Sequence, residues 1–288
     1  MATGDGWAPA SEHSEDRTVT VRGARLRVRE RGQGRPLLLI MGLGGNIEMW
    51  EPFESAIGDR RVIMYDAPGT GRSPRTRATQ RMEWFAGLVA DLLAELEIEQ
   101  ADVLGISLGG AVAQELARHH PARVRRLVLA ATTCGMGGVP PSPGVMLLMA
   151  TPLRYWWPWY LERTAPRIYG GRSARAGGPP RQQVRARRGN PPGPVGYLWQ
   201  MLSVMGWTSL AWLHEIRHPT LVLGGDDDRL VPFDNSRMLA DRIPDARLHR
   251  VPGGGHLFLV EEPEEVIGPI LSFLDGGRSS PAPGGVRP

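Results

Sequence analysis

The chain has 288 residues, 41% of them apolar, enough for one large domain with a substantial core. Its formal net charge is +4, its single cysteine excludes an intrachain disulfide, and all 34 basic residues are arginines, which excludes Schiff-base chemistry. No apolar run reaches the roughly 18 residues of a membrane-spanning helix, and the polar start has none of the features of a secretion signal, so a cytoplasmic protein without a transmembrane segment is expected.

Residues 1–17 read as a disordered tail. Residues 18–22 and 25–29, around Gly23, predict an antiparallel hairpin at one edge of a sheet. The apolar run 37–41 ends in Gly42, Leu43, Gly44 and Gly45, and the run 62–65 is followed by Asp66, Pro68 and Gly69. Both predict strands buried on two faces. Gly69-Thr70-Gly71-Arg72-Ser73 lacks the Gly-Lys-Ser/Thr of a phosphate loop and reads as a structural turn led by Asp66. Phe85, Leu88, Val89, Leu92, Leu93 and Leu96 repeat at helical spacing. Residues 103–106 predict another strand, and 110–117 a helix of small residues. Residues 127–131, 221–223 and 248–251 repeat the doubly buried strand pattern. A last helix holds Val266, Ile267, Ile270, Leu271 and Leu274, with Pro263 near its start. Strands alternating with helices predict a mostly parallel sheet covered on both faces.

Residues 137–214 interrupt this rhythm. They hold six of the nine tryptophans, and between Thr151 and His218 ten arginines face only Glu162 and Glu215. The segment reads as a lid inserted into a core of 18–136 and 215–276. Its middle, 172–194, reads as a mobile loop with solvated arginines at 172, 175, 181, 185, 187 and 188. The run Tyr155-Trp156-Trp157-Pro158-Trp159-Tyr160 reads as the lid's own core in preference to a docking face. No recognition motif accompanies the charge, which argues against nucleic acid. Residues 277–288 read as a second disordered tail.

Gly105-Ile106-Ser107-Leu108-Gly109 fits G-x-S-x-G. With 37 glycines in the chain the pattern alone is weak, but a strand precedes it and a helix follows, which is the sharp turn that pushes a serine hydroxyl out of a sheet. Such a serine needs a base, and the base an orienting acid. Downstream, one strand ends in Gly224-Gly225-Asp226-Asp227-Asp228 and the next in Gly253-Gly254-Gly255-His256. Each side chain therefore leaves the C-terminal edge of a strand, where parallel sheets bind ligands. Ser107 is the expected nucleophile and His256 the base. Asp228 is the preferred acid of the three, the others accepting turn hydrogen bonds. The oxyanion needs two backbone donors, for which the N–H groups of Leu108 and Leu43 are the candidates. No cofactor or metal is expected. His214-Glu215-Ile216-Arg217-His218 matches the zinc-protease pattern H-E-x-x-H, but Pro219 ends any helix there and no third ligand follows. It reads as a surface connector helix with Ile216 packed inward. Cys134 reads as a small buried filler.

Met41-Gly42-Leu43-Gly44-Gly45-Asn46, Tyr65-Asp66-Ala67-Pro68-Gly69 and the serine turn resemble the α/β-hydrolase superfamily. Ala165-Pro166-Arg167-Ile168-Tyr169-Gly170-Gly171, Gly196-Tyr197-Leu198-Trp199-Gln200, Gly206-Trp207-Thr208-Ser209, the triple-aspartate turn and Gly255-His256-Leu257-Phe258-Leu259 resemble, more narrowly, the intracellular depolymerases of medium-chain-length poly(3-hydroxyalkanoates). The resemblance implies an α/β-hydrolase fold, with a mostly parallel eight-stranded sheet, helices on both faces and an inserted helical lid. It implies a serine esterase with Ser107, Asp228 and His256 as triad, releasing 3-hydroxyalkanoic acids from storage granules in the cytoplasm. The partner is then a polyester or acyl-ester substrate and the granule surface. Rival expectations are an esterase, lipase or carbon–carbon bond hydrolase of the same fold with a small soluble substrate, and a catalytically idle granule-binding protein. Two departures stand out: some relatives carry Trp where this chain has Leu108, and the 172–194 stretch diverges. The sequence leaves the oligomeric state open.

Overall fold

The computed structural model describes residues 15–276. Strand β1 (Glu15–Val21) pairs antiparallel with β2 (Ala24–Arg31) across a turn in which both Arg22 and Gly23 have positive φ, the conformation that suits a tight hairpin. Residues 15–17, expected to be tail, belong to β1 because Arg27 and Arg29 clasp Asp16 at 2.6–2.8 Å. The rest of that tail, and the one expected at 277–288, lie outside the described residues.

The chain then alternates as its pattern predicts. It passes through β3 (Gln33–Ile40), α1 (Glu51–Ala56), β4 (Arg60–Tyr65), α2 (Met82–Glu95), β5 (Ala101–Ile106), α3 (Leu108–His119) and β6 (Val124–Ala130). Six helices follow: α4 (Pro143–Met149), α5 (Leu153–Trp156), α6 (Pro158–Tyr169), α7 (Gly171–Arg175), α8 (Arg181–Gly189) and α9 (Pro194–Val204). The sheet resumes with β7 (Thr220–Gly225), α10 (Asp234–Arg242), β8 (Ala246–Val251), α11 (Phe258–Glu261) and α12 (Glu264–Leu274).

The eight strands form one sheet in the order β1-β2-β4-β3-β5-β6-β7-β8, antiparallel at β1–β2–β4 and parallel from β4 onward. Successive residues of the central strands go to opposite cores, as the two-residue period requires. Leu38, Ile63, Val103 and Leu127 pack with α2 and α3, whereas Leu37, Val62, Leu104 and Val128 pack with α1 and α12. Strand β8 departs from its expected double burial. It is the outer strand, and Leu248 on it is exposed.

Arg27 ties the loops above this sheet together. Its buried guanidinium reaches Asp16, Glu48 and Asp66, and Asp66 accepts the N–H groups of Ile47 and Arg72 at 2.9 and 2.8 Å. The turn after β4 is thus built around Asp66, and it braces the glycine-rich turn after β3.

The stretch 172–194, expected to be a loop, carries α7 and α8. The buried face of α8 is Gln183, Ala186 and Arg187, so it has helical spacing without an apolar stripe. Its arginines are not all solvated. Arg187 is buried, Arg172 donates to the Glu261 carbonyl, and Arg175 pairs with Glu262 at 2.7 Å. The H-E-x-x-H segment is a single 3-10 turn, Leu213–Glu215, with Ile216 buried as expected. Among the described residues no three His, Cys, Asp or Glu side chains cluster closely enough to hold a metal.

The inserted helices rest on the sheet loops through backbone contacts. A Cβ placed on Gly196 would lie 2.5 Å from the Gly69 carbonyl oxygen, so α9 crosses the turn after β4 at a distance that only glycine allows. Gly196→Ala should therefore destabilise the protein by about 1–3 kcal/mol, the range for overpacking. Denaturant melts would measure it, and an unchanged midpoint would show that the two segments do not bear on each other.

Candidate active site

Ser107 occupies the turn between β5 and α3 with φ 56° and ψ −122°, a backbone region that a residue with a Cβ enters at a cost of about 1–3 kcal/mol. Its surroundings hold it there. The Ser107 N–H donates to the Ala130 carbonyl at 3.0 Å, and its own carbonyl accepts from the Gly110 N–H at 2.9 Å and the Thr132 hydroxyl at 2.7 Å. Gly105 and Gly109 allow the turn to close: a Cβ on Gly105 would strike the Gly109 carbonyl, and one on Gly109 the Ile40 carbonyl. Thr132 carries no sequence signal. Only the parallel pairing of β5 with β6 brings it under the serine.

His256 follows β8, and Asp228 follows β7. The His256 Nδ1–H donates to Asp228 Oδ2 at 2.8 Å, with both side chains buried. The other carboxylate oxygen accepts the N–H groups of Leu230 and Val231 at 2.9 and 2.8 Å. Asp226 and Asp227 face elsewhere. Asp226 accepts from the Gly253 N–H and pairs with Arg250, while Asp227 accepts from the Gly171 N–H at 2.7 Å.

The junction of α6 and α7 is fastened to both of these loops. The His256 N–H donates to the Tyr169 carbonyl at 2.7 Å, the Tyr169 ring stacks on the imidazole with centroids 6.1 Å apart, and Gly170 and Gly171 lie against the backbones of Asp227 and Gly255.

Ser107 and His256 line one cavity together with Leu43, Met41 and Gly42 from the turn after β3. Leu108 heads α3, so its N–H has no acceptor within the helix. Gly44 donates to Gln200 Oε1 and Gly45 to the Gly42 carbonyl, but the Leu43 N–H has no acceptor among the described residues. Neither expected oxyanion donor is thus spent on an acceptor among the described residues.

Residues 37–268 match the family model described as the alpha/beta hydrolase family. The chain belongs to this family. The hydrolase is 45% identical over 244 residues to a poly(3-hydroxyalkanoate) depolymerase of Ectopseudomonas oleovorans, covering 84% of this chain and 85% of that one. It is 31% identical to a 2-hydroxymuconate semialdehyde hydrolase of Pseudomonas sp. strain CF600, over 93% and 96% of the two chains. Among solved structures, the enol-lactonase of Burkholderia xenovorans LB400 shares its fold, with a TM-score of 0.76 at 23% identity over 90% of this chain and all of that one.

The same cavity holds two features of this α/β-hydrolase that its sequence hides. Arg154 and Arg187, from α5 and α8, line it and are each 2% exposed. They lie among the rings of Tyr155, Tyr169 and Tyr197, with guanidinium-to-centroid distances of 4.8–5.2 Å. Cation–π contact with a buried guanidinium contributes about 2 kcal/mol. Removing an ion from water costs several kcal/mol, so the rings alone do not offset two buried charges. Burial pushes the Tyr169 phenol up, yet the charges of Arg187 and Arg154 outweigh it and bring its pKa below the ordinary phenol value.

A second cavity shares Met41 and Gly42 with the first. It is mainly apolar, lined by Ile40, Met82, Phe85, Leu108 and Val112 among others. Cys134 is in neither cavity. It is buried, and burial pushes its thiol up, which suits a filler and not a nucleophile.

Proposed function

We propose that this hydrolase cleaves carboxylic esters through an acyl-enzyme on Ser107, and that its natural substrate is poly(3-hydroxyalkanoate) stored inside the cell. In this mechanism His256 removes the Ser107 proton as the hydroxyl attacks the ester carbonyl. Asp228 holds the ring so that Nε2 is the basic nitrogen and stabilises the imidazolium that forms. The oxyanion rests on the N–H groups of Leu108 and Leu43. His256 then protonates the leaving alkoxide, and water activated by the same ring frees the acid. No step uses a cofactor.

The observation that carries this reading is the buried bond from His256 Nδ1 to Asp228, at a cavity that also contains the strained Ser107. The polyester substrate is supported by the 45% identity to the depolymerase. The apolar cavity beside Leu108 suits the alkyl side chain of a 3-hydroxyalkanoate unit. Residues 137–214 act as a lid on a core of 18–136 and 215–276.

Docking on a granule is supported by the surface of the inserted helices. Trp157 and Trp159 are exposed and stacked at 6.1 Å, and Met146 and Leu147 of α4 are exposed as well. Trp157→Ser together with Trp159→Ser should reduce adsorption to poly(3-hydroxyoctanoate) particles at least fivefold in a co-sedimentation assay. Unchanged adsorption would reject this docking role.

Turnover of emulsified poly(3-hydroxyoctanoate) against short p-nitrophenyl esters tests the substrate. Release of 3-hydroxyoctanoate is the expected result, and cleavage of soluble esters alone would leave a small-molecule esterase. The likeness to the semialdehyde hydrolase favours a second reading, hydrolysis of a carbon–carbon bond in a small anionic substrate. Labelling of Ser107 by a fluorophosphonate separates all of these from an idle binding protein.

A further inference from the structure

Two buried cations line the cavity of the serine without a countercharge within ion-pair distance among the described residues. Arg154 donates to the hydroxyls of Tyr169 and Tyr197 at 3.0 and 2.8 Å and to the Thr151 carbonyl at 3.1 Å. Arg187 donates to the Tyr169 hydroxyl at 3.0 Å, while its Nε–H is buried without any partner. Among the described residues, no carboxylate lies within 4.0 Å of either guanidinium. Glu261 is the acid whose charge Arg187 influences, but it accepts the Ser173 hydroxyl at 2.6 Å. The backbone that carries Arg187 is pinned: Asn46, beside the glycine-rich turn, donates to the carbonyls of Ala186 and Asn190, which bracket it. A fixed guanidinium with an unspent buried donor, lining a cavity beside a nucleophile, is built to take a carboxylate.

We infer that Arg154 and Arg187 bind the free carboxylate at the acid end of the substrate, so that the enzyme cuts a polyester from its carboxyl terminus one unit at a time. The inference rests on the ester-hydrolase reading for its substrate. In the terminal unit the ester oxygen and the carboxylate are separated by two carbons. With the carboxylate on the arginines, Ser107 Oγ bonds to the carbonyl carbon of the preceding unit and the bond from that carbon to the ester oxygen breaks. The proton held by His256 passes to that oxygen. One 3-hydroxyalkanoate leaves, and the shortened chain remains acylated on Ser107 until water releases it.

Binding can be read with hydrolysis switched off. Ser107→Ala protein titrated by calorimetry should bind 3-hydroxyoctanoate at least tenfold more tightly than its methyl ester, and adding Arg187→Gln should reduce that preference below threefold. Equal binding of acid and ester, or a preference unaffected by Arg187→Gln in a protein that melts normally, would overturn the inference. Wild-type enzyme needs no variant. Its kcat/KM on a 3-hydroxyoctanoate trimer should fall at least tenfold when the terminal carboxylate is methylated, and equal rates would overturn the inference too. Wild-type protein that cleaves no ester, while Ser107→Ala still selects the acid, would sink the proposed function and leave the carboxylate site standing.

Discussion

Asp228→Asn should lower kcat by about 10⁴-fold and leave the fold intact, the expected effect of presenting His256, the proposed base, with an amide in place of a carboxylate. The two oxygens of Asp228 do separate work. Oδ1 accepts the Leu230 and Val231 N–H groups, and an asparagine oxygen does the same. Oδ2 accepts the proton of His256 Nδ1. The asparagine NH₂ in its place donates to Nδ1 instead, so the ring proton moves to Nε2, and the nitrogen that takes the serine proton in the proposed mechanism is no longer a base. Steady-state kinetics on a p-nitrophenyl ester, with a melting curve as control, measures this. A loss smaller than tenfold would mean that another group orients the imidazole.

Ser107→Ala and Ser107→Gly both remove the proposed nucleophile, and each should cost about 10⁶-fold in kcat, as loss of a serine nucleophile does in other hydrolases. The two variants differ in stability. Alanine keeps a Cβ at φ 56°, whereas glycine adopts this backbone freely. Relief of about 1–3 kcal/mol of strain outweighs the roughly 0.4–1 kcal/mol that glycine gives back through its more disordered unfolded chain. The glycine variant should therefore melt above the alanine variant. Activity surviving in either would move the nucleophile elsewhere, and equal melting points would show that the turn carries no strain.

The strand pattern is legible because buried parallel strands are continuous apolar runs, and 37–41, 62–65 and 103–106 have few other uses. The serine turn is legible for a related reason: Gly105 and Gly109 are demanded by backbones that touch. Chain order and the end of a strand confine the acid to residues 226–228, and Asp228 is preferred there because its neighbours are expected to accept turn hydrogen bonds. The helices of 172–194 were hidden because α8 buries a glutamine and an arginine where an amphipathic pattern shows apolar residues. Arg154 and Arg187 look in the sequence like two more members of a solvated excess. What buries them is a set of tyrosines up to 43 positions away, at 155, 169 and 197, a relation that no local window contains. Thr132 is equally silent, since only a neighbouring strand gives it a purpose.

The fastening of Tyr169, Gly170 and Gly171 to the histidine and aspartate loops has a mechanical consequence. Helices fastened along the side that holds His256 and Asp228 cannot lift there without dragging the imidazole off its carboxylate. Under the polyester reading proposed above, the way in for a bulky polymer is then at the far side, where α4 and α9 offer Leu147 and Leu198 to solvent.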